Sequence, residues 1–190
     1  MYLFFDTETT GLPRSYSAPV TNLTNWPRLV QLAWLLTDSQ GNEVSSAEYI
    51  IKPEGFVIPS NATKIHGITT KRAQREGTEL HAVLAEIILA INQASVLIAH
   101  NMQFDEKILG AELLRSGYSD ILATKERKCT MQSSTNFCKI PSHYGYKWPT
   151  LQELYKKLFN EQFADAHQAL VDVRACSKCF FELKRRKLMS

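Results

Sequence analysis

The residues best equipped for chemistry in this chain are acids, and they come in spaced sets. The first set lies in Phe4-Phe5-Asp6-Thr7-Glu8-Thr9-Thr10-Gly11-Leu12-Pro13. Tyr2 to Phe5 is an apolar, β-favouring run that reads as a buried strand. Residues i and i+2 of a strand share a face, so Asp6 and Glu8 stand on one side, about 6.5–7 Å apart along the backbone. Two like charges at the rim of a core strand repel each other and resist desolvation. No Lys or Arg lies within five residues of either acid. A hard divalent cation meets that need, because Mg²⁺ takes carboxylate oxygen; two solvent-facing acids are the plainer reading of the same residues. Thr9-Thr10-Gly11 ends the strand with small residues that let a substrate approach the backbone.

The second set is Val96-Leu97-Ile98-Ala99-His100-Asn101-Met102-Gln103-Phe104-Asp105, where a strand passes into a helix. Asp105 falls in that helix's first turn, where the dipole alone favours an acid. Its functional reading is a third metal carboxylate at the C-terminal edge of a strand, where open α/β sheets place ligands. The third set is Asp165-Ala166-His167-Gln168-Ala169-Leu170-Val171-Asp172. Asp165 suits a helix N-cap, and Asp172 lies beside an apolar face and needs a partner. His167, with an ordinary pKa of about 6.5, suits proton removal from water near neutral pH; a capping or surface histidine is the plain alternative.

Elements that would position these acids follow from periodicity. After the first strand, residues 14–28 form a loop rich in Ser, Thr, Asn and Pro. Leu29 to Thr37 and Glu43 to Ile51 read as strands around a Ser39–Asn42 turn, so the first three strands form an antiparallel meander. Ile58 to Thr69 reads as a short helix closed by Gly67, with Thr69 capping another. Helices are expected over Glu79–Gln93, Phe104–Ser116, Leu151–Phe159 and about 168–187, with a buried strand at Ser95–Ala99. Residues 125–149 read as irregular and rich in aromatics. Strands first, then helices alternating with strands, imply a mixed sheet flanked by helices.

A chain of 190 residues, 44% hydrophobic and 22% charged, fits one compact α/β domain over 1–190. The net charge of +3 decides little, but Lys184-Arg185-Arg186-Lys187 closes the chain with four cations, as a polyanion-binding protein could. Cys176 and Cys179 form a CxxC inside a helical pattern, and with Cys129 and Cys138 they read as buried reduced thiols before zinc ligands. The N-terminus enters a strand directly, without the look of a signal peptide, and no apolar run approaches a membrane span. The expected compartment is reducing and cytoplasmic.

Taken together, Phe5-Asp6-Thr7-Glu8-Thr9-Thr10-Gly11, His100-Asn101 followed by Phe104-Asp105, and His167 followed by Asp172 resemble the three motifs of the DEDDh 3′–5′ exonucleases. That family includes the proofreading subunit of bacterial replicative DNA polymerase, ribonuclease T and oligoribonuclease. Ile65-His66-Gly67-Ile68-Thr69, preceded by Ile58-Pro59, resembles its substrate-side element. The resemblance implies a ribonuclease H-like α/β fold, a mixed five-stranded sheet with helices on both faces. It implies phosphodiester hydrolysis with two divalent cations, Mg²⁺ or Mn²⁺, about 3.5–4 Å apart. Asp6 would bridge them, Glu8 and Asp172 would complete the one that activates water, Asp105 would serve the other, and His167 would be the general base. Backbone around Thr9, Thr10 and Leu12, with Asn61 and His66, would hold the terminal nucleotide, and a nucleoside 5′-monophosphate would leave. The implied partner is a nucleic acid with a free 3′ end, single-stranded DNA first, with a DNA polymerase as the protein partner and no membrane.

The chain departs from its relatives in two places: Asn61 stands where many carry Glu, and Lys128-Cys129-Thr130 where they tend to have an acid and Thr. An RNA-trimming exoribonuclease and a catalytically silent binding module on the same fold stay open as alternatives, as does a zinc-binding structural protein. In residues 136–149, Tyr144, Tyr146 and Trp148 alternate among Lys139, His143 and Lys147. These rings are expected either to fold back onto the sheet or the helix at 151–159, or to stack the bases of a single-stranded 3′ end.

Overall fold

In the computed structural model, which describes residues 1–163 and 168–189, the chain folds around its first strand. β1 (Tyr2–Thr9), β2 (Leu29–Thr37) and β3 (Glu43–Ile50) are followed by α1 (Ser60–His66), α2 (Thr70–Glu76) and α3 (Leu80–Gln93). β4 (Val96–Ala99), α4 (Met102–Arg115), β5 (Glu126–Cys129) and α5 (Thr130–Cys138) come next. A two-stranded hairpin, β6 (Pro141–Ser142) and β7 (Gly145–Tyr146), precedes α6 (Leu151–Phe159) and α7 (Ala169–Arg185).

The main sheet has the order β3-β2-β1-β4-β5. β1 and β3 flank β2 in antiparallel register, as the short connecting turn allows. β4 runs parallel to β1 and β5 parallel to β4, each crossover being made by helix. This is the mixed five-stranded sheet that the family resemblance implies.

The pleat of β1 sorts its side chains between two cores. Leu3 and Phe5 pack with Val83, Leu84 and Ile87 of α3 and Ile108 and Leu109 of α4. Phe4 points the other way, onto Ala33, Leu35, Ile98 and the α7 residues Ala169, Val173, Cys176 and Phe180. With helices on both faces, every residue of β2 is buried, which explains its apolar run, broken inside only by Gln31. Asp6 and Glu8 continue the Phe4 side towards α7, and Thr7 continues the Phe5 side towards α4.

The irregular stretch expected over 125–149 is instead β5, α5 and the hairpin. Glu126-Arg127-Lys128 hid a strand because β5 is the sheet edge, where charged side chains face water and no alternation shows. Thr130-Met131-Gln132-Ser133-Ser134-Thr135 has weak helix propensity, and α5 is held by burying Thr130, Met131, Ser134 and Cys138. The four cysteines are free thiols, and Cys176 and Cys179 serve separate apolar clusters. The C-terminal cations are largely engaged: Arg185 and Arg186 pair with Glu182, and Lys184 Nζ donates to the Tyr2 hydroxyl. Among the described residues no helix is long and apolar enough to cross a membrane.

One buried charge fixes the loop after β1. Glu112 is fully buried in α4, and its Oε1 accepts from Arg28 Nε (2.8 Å), Leu29 N–H (3.0 Å) and Arg115 Nη1 (2.9 Å). Arg28 in turn exchanges two 3.0 Å bonds with Thr10. Removing one partner from such a cluster strands buried charge, so Glu112→Ala is expected to lower folding stability by about 3–5 kcal/mol. Urea unfolding checks this; a loss under about 1 kcal/mol would mean that the cluster is solvated as freely as a surface pair.

Candidate active site

The acids of three separate stretches meet at the carboxyl ends of β1 and β4. Asp6 and Glu8 project from the last turn-free residues of β1, opposite Ala33 and Gln31 of β2. β4 ends at Ala99, and Asp105 stands in the first turn of α4 just beyond it. Asp172 stands in the first turn of α7, which packs on the same side of β1 as Asp6.

Their electrostatics show the meeting directly. Burial holds Asp6 well above the usual carboxylate range, and the charges of Asp105, Glu8 and Asp172 push it further. Burial likewise lifts Glu8 to about 7, with Asp172 and Asp105 adding to it. Asp105 is pushed up to about 7 by burial, against the pull of two hydrogen bonds from Thr7. Its Oδ1 accepts from the Thr7 N–H (3.2 Å) and hydroxyl (2.7 Å), which pins the carboxylate to β1. No ion pair to Asp6, Glu8 or Asp105 is formed among the described residues.

A cavity of about 300 Å³ opens on this cluster, lined by Asp6, His100, Asn101, Thr150, Leu151, Gln152, Phe163 and Asp172. A larger one, about 680 Å³, lies at the β5 edge by Arg127, Lys128 and Gln132 and holds none of the four acids. Charge, more than size, makes the smaller cavity the candidate site. Among the described residues no three or more His, Cys, Asp or Glu side chains are disposed to hold a metal ion by themselves. The donor set still suits Mg²⁺, which takes one or two protein carboxylates and completes its shell with water and substrate phosphate. A crowded, oxygen-only cluster of this kind fits such an ion.

The other predicted residues divide. His66 is buried, its Nδ1 accepts from the Ile68 N–H (3.1 Å), and its other edge meets the Thr9 backbone. Burial pushes its pKa down, so it is a neutral ring that ties α1 to the end of β1. Thr9 Oγ1 donates to the Gly11 carbonyl, and Thr10 is engaged with Arg28. Leu12 is 74% exposed and Asn61 lies on the outer side of α1. His167 and Asp165 lie outside the described residues; α7 starts at Ala169 with Gln168 at its N-cap position, in place of the expected Asp165.

Three positioning residues escaped sequence reasoning. Thr7 sits between the two acids, and only the pleat shows that it faces Asp105. His100 donates through Nε2 to the Pro149 carbonyl (2.9 Å), so its Nδ1 accepts from the Thr130 hydroxyl (3.0 Å). Burial holds it down at about 4, and it brings no positive charge to the acids beside it. Glu48 of β3 accepts from Gln31 Nε2 (3.1 Å) and from the Leu170 N–H (3.0 Å), anchoring the start of the helix that carries Asp172. No local signal could reveal a bond between residues 122 apart.

The family model described as exonuclease matches residues 3–180. A DNA polymerase III PolC-type from Mycoplasmopsis pulmonis (strain UAB CTIP) is 32% identical over 108 residues, covering 57% of this chain and 7% of that protein. Escherichia coli exonuclease I, in a zinc-bound complex with single-stranded DNA, shares the fold with a TM-score of 0.77 and 23% identity over 98% of this chain and 40% of its own. Its complex with a dA16 oligonucleotide gives 0.78 and 22%, over 98% of this chain and 42% of its own. The chain spans less than half the length of each of these proteins.

Proposed function

We propose, from the premise that this chain belongs to the exonuclease family, that it hydrolyses nucleic acid from the 3′ end, single-stranded DNA first, and releases nucleoside 5′-monophosphates. The observation that carries this reading is the convergence of Asp6, Glu8, Asp105 and Asp172 on one another, their charges raising the proton affinity of Asp6 and Glu8.

Those four carboxylates would hold two divalent cations, Mg²⁺ or Mn²⁺. When bound, such ions lower the pKa of water and stabilise charge on the phosphoryl and leaving oxygens. The chain's own work is orientation and proton transfer. Thr7 fixes Asp105, Glu48 fixes the start of α7 and with it Asp172, and the buried α4 cluster fixes the Thr9–Leu12 loop through Arg28. The backbone of Thr9, Thr10 and Leu12, with His66 and Asn61, would seat the terminal nucleotide. His167 would take the proton from the attacking water, and the 3′-oxygen would leave with the rest of the strand. The match to a PolC-type polymerase favours a polymerase as the protein partner.

Matched 5′-labelled DNA and RNA oligonucleotides, single-stranded and 3′-recessed, test the reading with Mg²⁺, Mn²⁺ or EDTA. The expected result is a ladder that shortens from the 3′ end, fastest for single-stranded DNA and absent in EDTA. Faster loss of RNA identifies an exoribonuclease. No hydrolysis, together with no metal uptake by calorimetry in the presence of nucleotide, identifies a silent binding module.

A further inference from the structure

Between α5 and α6 the chain extends a short hairpin whose large apolar side chains the fold does not use. In it Pro141 pairs with Tyr146 and Ser142 with Gly145, which leaves His143 and Tyr144 as a two-residue tip. The base is fastened. The Lys147 N–H donates to the Ile140 carbonyl (2.9 Å), Lys147 Nζ reaches Glu153 (2.7 Å), and Phe137 and Ile140 pack against Leu154, Tyr155 and Leu183. The rings above stay open to solvent, Tyr144 almost wholly (99% exposed) and Trp148 and Tyr146 by about half (56% and 47%). Folding back onto the body, one of the two expectations for this stretch, is therefore not what these rings do. Exposed aromatic area on a fastened support marks a contact surface.

Position, charge and spacing identify what it contacts. Trp148 is followed by Pro149, whose carbonyl takes the His100 bond, and then by Thr150, Leu151 and Gln152, which share the cavity wall with Asp6 and Asp172. Four residues of chain reach at most about 14 Å, so Tyr146 lies within roughly four stacked nucleotides of that wall. The 26 residues 127–152 contain no Asp or Glu, although the cavity they border is acidic. Lys139 is exposed beside the hairpin, and His143 and Lys147 alternate with the rings. Tyr146 and Trp148 are two residues apart on the chain that leaves the turn, and Tyr144 stands at its tip. Exposed flat rings among cations match unstacked bases on a phosphate backbone; a duplex hides the base faces that such rings need.

We propose that the 139–148 hairpin is the single-strand wall of this site, stacking the bases of single-stranded DNA upstream of the scissile bond on Tyr144, Tyr146 and Trp148 while Lys139 follows its phosphates. The assignment rests on the exonuclease reading, and the test separates the two. Fluorescence anisotropy in EDTA measures binding of labelled single-stranded DNA, single-stranded RNA and blunt duplex to wild type and to Tyr144→Ala/Trp148→Ala. Hydrolysis of the p-nitrophenyl ester of thymidine 5′-monophosphate by the wild type reads the chemistry alone. For a strand of about twelve nucleotides the variant should bind at least tenfold more weakly, the stacking range being about fivefold to 150-fold per base. For a dinucleotide the loss should stay near twofold, and for wild type the affinity should fall as salt rises. Hairpin-dependent binding without ester hydrolysis retains the wall and removes the exonuclease reading. Equal affinity of wild type and variant overturns the wall, as does a loss confined to RNA. If the variant melts lower and binds less, Tyr144→Phe/Trp148→Phe decides: restored binding supports stacking, and binding still lost overturns it.

Discussion

Asp6→Asn and Asp172→Asn are expected to lower hydrolysis by about 10³-fold or more while leaving the fold intact, since each removes charge from the place where transition-state charge must be balanced. The metal-free proteins should be no less stable than wild type, because neutralising one acid relieves its neighbours. The same crowding fixes a pH dependence. Asp6, Glu8 and Asp105 all have folded-state pKa values raised above their ordinary 3.8 to 4.5, the latter two to about 7. Between those limits the folded state binds more protons than the unfolded state, so unfolding free energy falls as pH rises. For Glu8 and Asp105 the stabilisation is fully present below about pH 4 and lost as pH rises through about 7. Without metal, wild type should therefore melt higher at pH 5 than at pH 8, beyond any general acid effect on the rest of the chain, and Asp6→Asn should show a flatter slope. Mg²⁺ should raise the melting temperature more at pH 8 than at pH 5, because it competes with protons for the same oxygens. An Asp6→Asn enzyme with near-normal turnover would remove Asp6 from the metal set.

How far the site could be read in advance depended on whether its signals were local. Asp6 and Glu8 are two apart on a strand, and a period of two is visible in any apolar run. Asp105 and Asp172 each open a helix, and helix starts leave marks in the sequence. The β3-β2-β1 half of the sheet followed from the early meander, while the place of β5 beyond β4 did not. What stayed hidden is held by contacts between distant residues or by burial against weak propensity. β5 is polar because it is an edge, and α5 is rich in Thr and Ser because tertiary packing, not propensity, keeps it helical. The bonds from Thr7 to Asp105 and from Leu170 to Glu48 join residues 98 and 122 apart. Such pairs exist only once the sheet has brought their strands to one edge. The aromatics of the hairpin were legible as residues but not as a surface, since exposure is a property of the fold.

His167→Ala is expected to lower turnover by about 10²–10⁴-fold at little cost in substrate affinity, the usual weight of a general base. His167 lies outside the described residues, and the assignment rests on its place five residues before Asp172 and on what the other histidines are doing. His100 shares the cavity with Asp6, but both its ring nitrogens are engaged and burial holds it at about 4. His66 is buried and turned to Thr9, His81 packs against Tyr118, and His143 stands at the hairpin tip. That leaves His167 as the imidazole near the acid cluster in sequence, and an imidazole suits proton removal near neutral pH. At saturating Mn²⁺ the carboxylates are held ionised, so the acidic limb of the kcat profile should report the histidine alone. Wild-type turnover should fall below about pH 6.5, and the variant should lose that limb and become nearly flat. Added imidazole should recover part of the lost turnover in His167→Ala and none in Asp172→Asn. A variant that keeps the acidic limb at saturating metal would show that another group takes the proton from water.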